Sequence, residues 1–127
     1  MFLSKIIFLS LFFGLSFAYS PRNDRPSSTD SYVNYLKTKE QIIMKNINNA
    51  EIANYIPQQV IWDDIQGIIT APRPNPFKRV FEPSNPKANH SGMIFYPNVD
   101  RDEEILELRL IRRKLASVLS LKITGKR

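Results

Sequence analysis

Cysteine is absent from the chain, and histidine occurs once. Without cysteine there is no disulfide framework, the usual stabiliser of small secreted folds. With His90 alone and no thiolate, a zinc site has no convincing donor set. No ordered carboxylate can be placed beside His90, so it lacks a partner for base catalysis. The four glycines form neither a phosphate loop nor a nucleophile elbow. Asp63 and Asp64 are adjacent, would diverge on a helix, and have no metal triad around them. These absences point away from an enzyme. No cofactor and no metal is expected.

Long apolar runs are also scarce. The one clear run, Ile6 to Phe17, is broken only by Ser10, Gly14 and Ser16, and comes after a single cation, Lys5. It is short for a membrane span, and the flank after it is polar. Ser16, Phe17 and Ala18 put small residues at the last and third-last places before a cut. This is the pattern of a secretory signal peptide cleaved after Ala18 by signal peptidase. The expected localisation is secreted, through the secretory pathway. The chain beyond Ala18 suffices for one small domain. The formal charge of the whole chain is +6, with much of the excess late in the sequence. Nucleic acid is not among the expected partners.

Residues 20–30, SPRNDRPSSTD, read as loop. From Asp30 a helical pattern begins. Val33, Leu36, Ile43, Ile47 and Ala50 keep to one side of a helix. Four asparagines weaken its propensity, and Pro57 ends it. The spacing predicts a helix over 31–55, interrupted near Asn48. Residues 58–70, QQVIWDDIQGIIT, suit either a short helix or a pair of strands, although Gly67 argues against a strong helix. Residues 71–86 then contain five prolines. Each removes a backbone donor and restricts its predecessor, which predicts an extended linker with no regular element. The last element is the clearest. Asp100 can cap a helix, with Glu103 three residues on. Ile105, Leu108, Ile111, Leu115, Val118 and Leu119 form a wide apolar face. Acids crowd its start and bases its end, an order that favours a helix electrostatically. A helix is predicted over 101–122. The expected fold class is therefore mostly α: a signal peptide, two amphipathic helices joined by a proline-rich linker, and little or no stable tertiary core.

Three basic clusters bear on processing. Lys78-Arg79 lies in the linker, Arg112-Arg113-Lys114 in the predicted helix, and Lys126-Arg127 after Gly125. A processing protease holds an extended backbone, so the linker pair is the better internal site and the helical one the worse. Trimming Lys126 and Arg127 would expose Gly125, from which an amidating enzyme makes an amide on Thr124. Only glycine serves there, because the chemistry discards its unbranched α carbon. The layout becomes a signal peptide (1–18), a spacer or propeptide (19–79), a candidate mature peptide (80–124), and an amidation and dibasic signal (125–127). In such a peptide Leu108, Ile111, Leu115 and Leu119 would be the receptor-binding anchors of a helix lying in a groove. A free helix of this length is marginal in water and would order on binding.

The layout resembles that of amidated helical peptide-hormone precursors. The size of the 80–124 product resembles the insect diuretic hormones related to corticotropin-releasing factor. HSGMIF (90–95) and KLASVLS (114–120) are similar to parts of vasoactive intestinal and pituitary adenylate cyclase-activating peptides, although no basic pair precedes His90. The resemblance implies a neuropeptide or hormone, released by cleavage at pairs of basic residues, that binds a cell-surface G-protein-coupled receptor. Prohormone-processing proteases and an amidating enzyme would be its other partners.

Two alternatives stand beside it. One is a small secreted helical binding or structural protein, used intact. The other is a cationic membrane-active peptide from residues 108–124, suited to an anionic membrane surface. Separately, Asn89-His90-Ser91 is a glycosylation acceptor pattern, which a secreted chain could use at Asn89.

Overall fold

The computed structural model describes residues 26–125. The expected cleavage after Ala18 and the terminal Lys126 and Arg127 lie outside the described residues. The element order is α1 (Thr29–Asn48), β1 (Gln58–Asp63), β2 (Gly67–Pro72), β3 (Phe77–Phe81), β4 (Met93–Pro97) and α2 (Arg101–Thr124). The strands form two separate antiparallel hairpins, β1–β2 and β3–β4. The fold is thus a small mixed α and β domain with packed elements. This corrects the expectation of a mostly helical chain with little or no tertiary core.

The helices begin where short polar side chains satisfy their free amides. Ser28 Oγ accepts from the Ser31 amide at 3.1 Å. Asp100 Oδ1 accepts from the amides of Asp102 and Glu103 at 2.9 and 3.2 Å. The first helix stops at Asn48 rather than 55. Asn49 turns its Nδ2 back onto the Lys45 carbonyl, and Asn54 adopts a φ of 64°. Short amides compete with the helical ladder and tolerate the left-handed region, so the asparagine cluster ends the element.

The ambiguous 58–70 stretch resolves into strands. Asp63 pairs with Gly67 across the hairpin. Asp63 Oδ1 accepts from the Ile65 and Gln66 amides at 2.9 and 2.8 Å, and Gly67 takes a φ of +81°. A three-residue loop closed by a left-handed glycine is a common hairpin solution.

The proline-rich stretch is the second correction. It is not a linker. Pro72 is the last residue of β2, Pro76 directly precedes β3, and Pro97 is the last residue of β4. Pro83 and Pro86 lie in the β3–β4 loop. The prolines sit where strands end, and the five-residue run between Pro76 and Glu82 carries none. Proline is tolerated at such positions and not inside a ladder. Phe77 to Phe81 therefore pairs in full with Pro97 to Met93.

The core lies between α1, α2 and the first hairpin. Tyr35, Leu36 and Ile43 of α1, Val60 of β1 and Ile111 of α2 are buried together, with Leu108, Leu115, Trp62 and Ile68 packed around them. The helices run antiparallel, as their ion pairs show. Asp30 meets Lys122, Glu40 meets Arg112 and Lys39 meets Glu107, and just past the end of α1 Glu51 meets Arg101. Most of these pairs are exposed and individually weak, but they mark the register along the whole length. The second hairpin is tied in through the Asn54 amide, which donates to the Phe95 carbonyl at 2.8 Å.

Candidate interaction surface

A chain of polar groups fixes α2 to the rest of the domain. Asn46 of α1 is fully buried. Its Nδ2 donates to the Gln58 carbonyl, and its Oδ1 accepts from the Gln58 amide and the Tyr55 hydroxyl, all within 3.0 Å. The same Gln58 carbonyl accepts from Arg73 Nε at 3.2 Å. Arg73 then pairs with Glu104 of α2 at 2.5 Å. The Glu104 side chain is only 5% exposed, and its Oε2 has no hydrogen-bond partner among the described residues. A buried ion pair gives little net stability but is costly to break. Its clear consequence is orientation, because the face of α2 that carries Glu104 must point inward.

Burial also raises the Tyr55 hydroxyl above its ordinary pKa of 10.0, with the Glu104 carboxylate adding to the rise and the Arg73 guanidinium opposing it. The neutral phenol is the form that donates to Asn46.

With Glu104, Leu108, Ile111 and Leu115 turned inward, another stripe of α2 faces water. Leu106, Leu110, Lys114, Ser117 and Leu121 succeed one another at steps of three or four residues, which keeps them on one side of the helix. The three leucines are 58, 45 and 69% exposed. Arg113, three residues after Leu110 and seven after Leu106, borders the stripe on the side away from Lys114, with Arg109 farther out on that side. None of these three cations makes an ion pair among the described residues.

At its C-terminal end the stripe runs into a groove of about 870 Å³. Tyr32 from α1, Trp62 and Asp64 from the first hairpin, and Val118, Leu121 and Lys122 from α2 line it. Trp62 Nε1 donates to Asp64 Oδ1 at 3.2 Å, which holds the indole beside the groove. Ile65, at the tip of the same hairpin, is 95% exposed. Ser27, Ser28 and Thr29 complete a lining that is as polar as it is apolar.

The residues singled out from the sequence fall in different places. Leu108, Ile111 and Leu115 belong to the core or pack against it, while Leu119 remains over a third exposed. Lys78 and Arg79 are exposed but sit inside β3, paired with Tyr96 and Phe95. Thr124 is the last residue of α2, and Gly125 is its cap. Asn89 is exposed in the β3–β4 loop. The structure does not gather these residues into one site.

The residues that form the surface, and the buried pair that orients it, escape the sequence pattern for identifiable reasons. Arg73 stands in PRPNP and reads as linker. Glu104 reads as one more acid in a charged first turn. Leu106 and Leu110 lie outside the widest apolar stripe of α2, which is the stripe the core takes.

Among the described residues, no cluster of three His, Cys, Asp or Glu could hold a metal ion, and no helix is long and apolar enough to cross a membrane. No family model matches the sequence, and no curated protein matches it.

Proposed function

We propose that the chain is a small exported protein that acts intact, as a non-enzymatic binding module for another extracellular protein. Its docking surface is the outer stripe of α2, from Leu106 to Leu121, continued into the groove beside Trp62 and Tyr32. The partner presents an apolar surface edged with carboxylates, such as the ectodomain of a cell-surface receptor. The leader-like pattern of residues 1–18 supports export.

One observation carries this reading. Three exposed leucines stand in line among Arg109, Arg113 and Lys114, cations with no ion pair among the described residues, on a helix whose opposite side is locked in the core. Buried apolar anchors supply most of the affinity at protein interfaces. Surrounding charge selects the partner and speeds encounter. Leu108, Ile111 and Leu115 are engaged inside the domain. A peptide spanning 80–124 would leave α1 and β1 behind, and with them the side chains these residues pack against.

The test uses labelled protein, exported by its own cells and applied to intact cells of the producing organism. Binding should saturate, weaken with salt, and vanish when the cells are first treated with protease. Replacing Leu106 and Leu110 with serine should weaken it at least tenfold without altering the fold. Binding that survives protease treatment and is competed by anionic lipid vesicles would overturn the protein partner in favour of a membrane surface.

A further inference from the structure

The β3–β4 loop contains Asn89-His90-Ser91, the one Asn-X-Ser/Thr pattern in the sequence. All three residues are exposed. Asn89 is also a structural residue, and it uses only one end of its amide. Its Oδ1 accepts from the Ser91 and Met93 amides, each at 3.0 Å. Its backbone amide donates to the Met93 carbonyl, and its carbonyl accepts from the Gly92 amide, each at 2.9 Å. Its Nδ2 donates to nothing among the described residues. Gly92 completes the turn with a φ of +74°, where an added Cβ would lie 2.8 Å from the Phe81 ring.

The geometry points to Asn89 as an N-glycosylation site whose carbohydrate the finished fold accommodates without losing a hydrogen bond. This inference rests on the export proposed above, because the transferring enzyme works in the secretory pathway. The donor is a lipid-pyrophosphate-linked oligosaccharide. A bond forms between Nδ2 and the first sugar carbon, and that carbon's bond to phosphate breaks. The lipid pyrophosphate leaves with the electron pair, and one amide proton is released. Oδ1 takes no part in the new bond and goes on accepting from Ser91 and Met93.

The turn itself assists. The Ser91-to-Asn89 contact spans two residues, so it can form in the nascent chain before the domain folds. It bends the pattern so that Ser91 lies close to the amide that is modified. In the folded protein Asn89 is exposed on a loop, where a bulky polar group meets water rather than packed side chains.

The full chain is expressed in eukaryotic cells in two versions, one with its own residues 1–18 and one with these exchanged for a leader of known export. Exported protein from the second version should carry a single glycan, removed by a peptide N-glycosidase. Ser91→Ala should abolish the glycan while keeping the turn, because the Ser91 backbone amide supplies the hydrogen bond. Ser91→Thr should retain it. Exported wild-type protein without carbohydrate, or a glycan that persists in Ser91→Ala, would overturn the inference. Failure of the first version alone to leave the cell would count against the export reading and leave the glycan result to the second.

Discussion

At the residue scale, the Arg73–Glu104 pair makes an asymmetric prediction. Glu104 is nearly enclosed, whereas the Arg73 side chain is 25% exposed. Arg73→Met would strand a buried carboxylate that already has one oxygen unbonded. It should cost about 3–5 kcal/mol, the usual loss when a buried pair is broken from one side. Glu104→Gln would leave a guanidinium that can still reach water and the Gln58 carbonyl, and it should cost clearly less. Urea unfolding of both variants checks the order, and equal losses would contradict the placement of Glu104. Tyr55 gives a second prediction at this scale. Its folded pKa is raised above 10.0, chiefly by burial, so the folded state holds the phenolic proton after the unfolded chain has released it. The stability from Tyr55 is therefore full below pH 10 and falls as pH rises from 10.0 through the folded value. Alkaline unfolding monitored by phenolate absorbance should show this loss. Tyr55→Phe should lack that part of the slope while costing about 1 kcal/mol at neutral pH through the lost hydrogen bond to Asn46.

At the scale of elements, the two sides of α2 should behave as opposites. Ile111 is only 4% exposed and sits in the core. Ile111→Ala should cost roughly 2–5 kcal/mol, whereas Leu106→Ser and Leu110→Ser should stay within about 0.5 kcal/mol and act on binding instead. Thermal melts paired with binding assays separate the two. Strand β3 yields a further prediction. The bond after Arg79 looks like an open dibasic site in the sequence, but a protease must lift β3 off β4 to reach an extended backbone. Cleavage by a trypsin-like enzyme should be slow in the native protein and rise steeply with sub-denaturing urea. Fast cutting after Arg79 in the native chain would contradict the hairpin.

Both helices were legible from local signals. Asp100 announces the start of α2 within the few residues that form its cap. The stop of α1 near Asn48 comes from its asparagines. The strands were not legible in the same way. FKRVF lies among prolines, and nothing local says that MIFYP, beyond a loop rich in proline and asparagine, is its partner. Strand pairing is a non-local event. The pattern could show that a helix face was apolar, but not whether its ligand was a receptor or the chain's own α1 and β1. The buried polar network escaped for the same reason. Asn46, Arg73 and Glu104 are far apart in sequence, and each is unremarkable alone.

For the whole molecule, the consequence is one of integrity. The core is assembled from both halves of the sequence, with α1 and β1 on one side and α2 on the other. No cysteine holds the halves together after a cut. A break after Arg79 would make the association of two fragments concentration-dependent and expose the apolar face of each. A domain that depends on such contacts holds together as a unit, and its outer leucines are positioned only while the unit stands. The most direct test is the intact mass of the polypeptide that leaves the producing cell. One species in which the Arg79–Val80 bond is unbroken, with any glycan subtracted, is the predicted result. A species beginning at Val80 and ending in an amide on Thr124 would contradict it, because that molecule lacks half of the core.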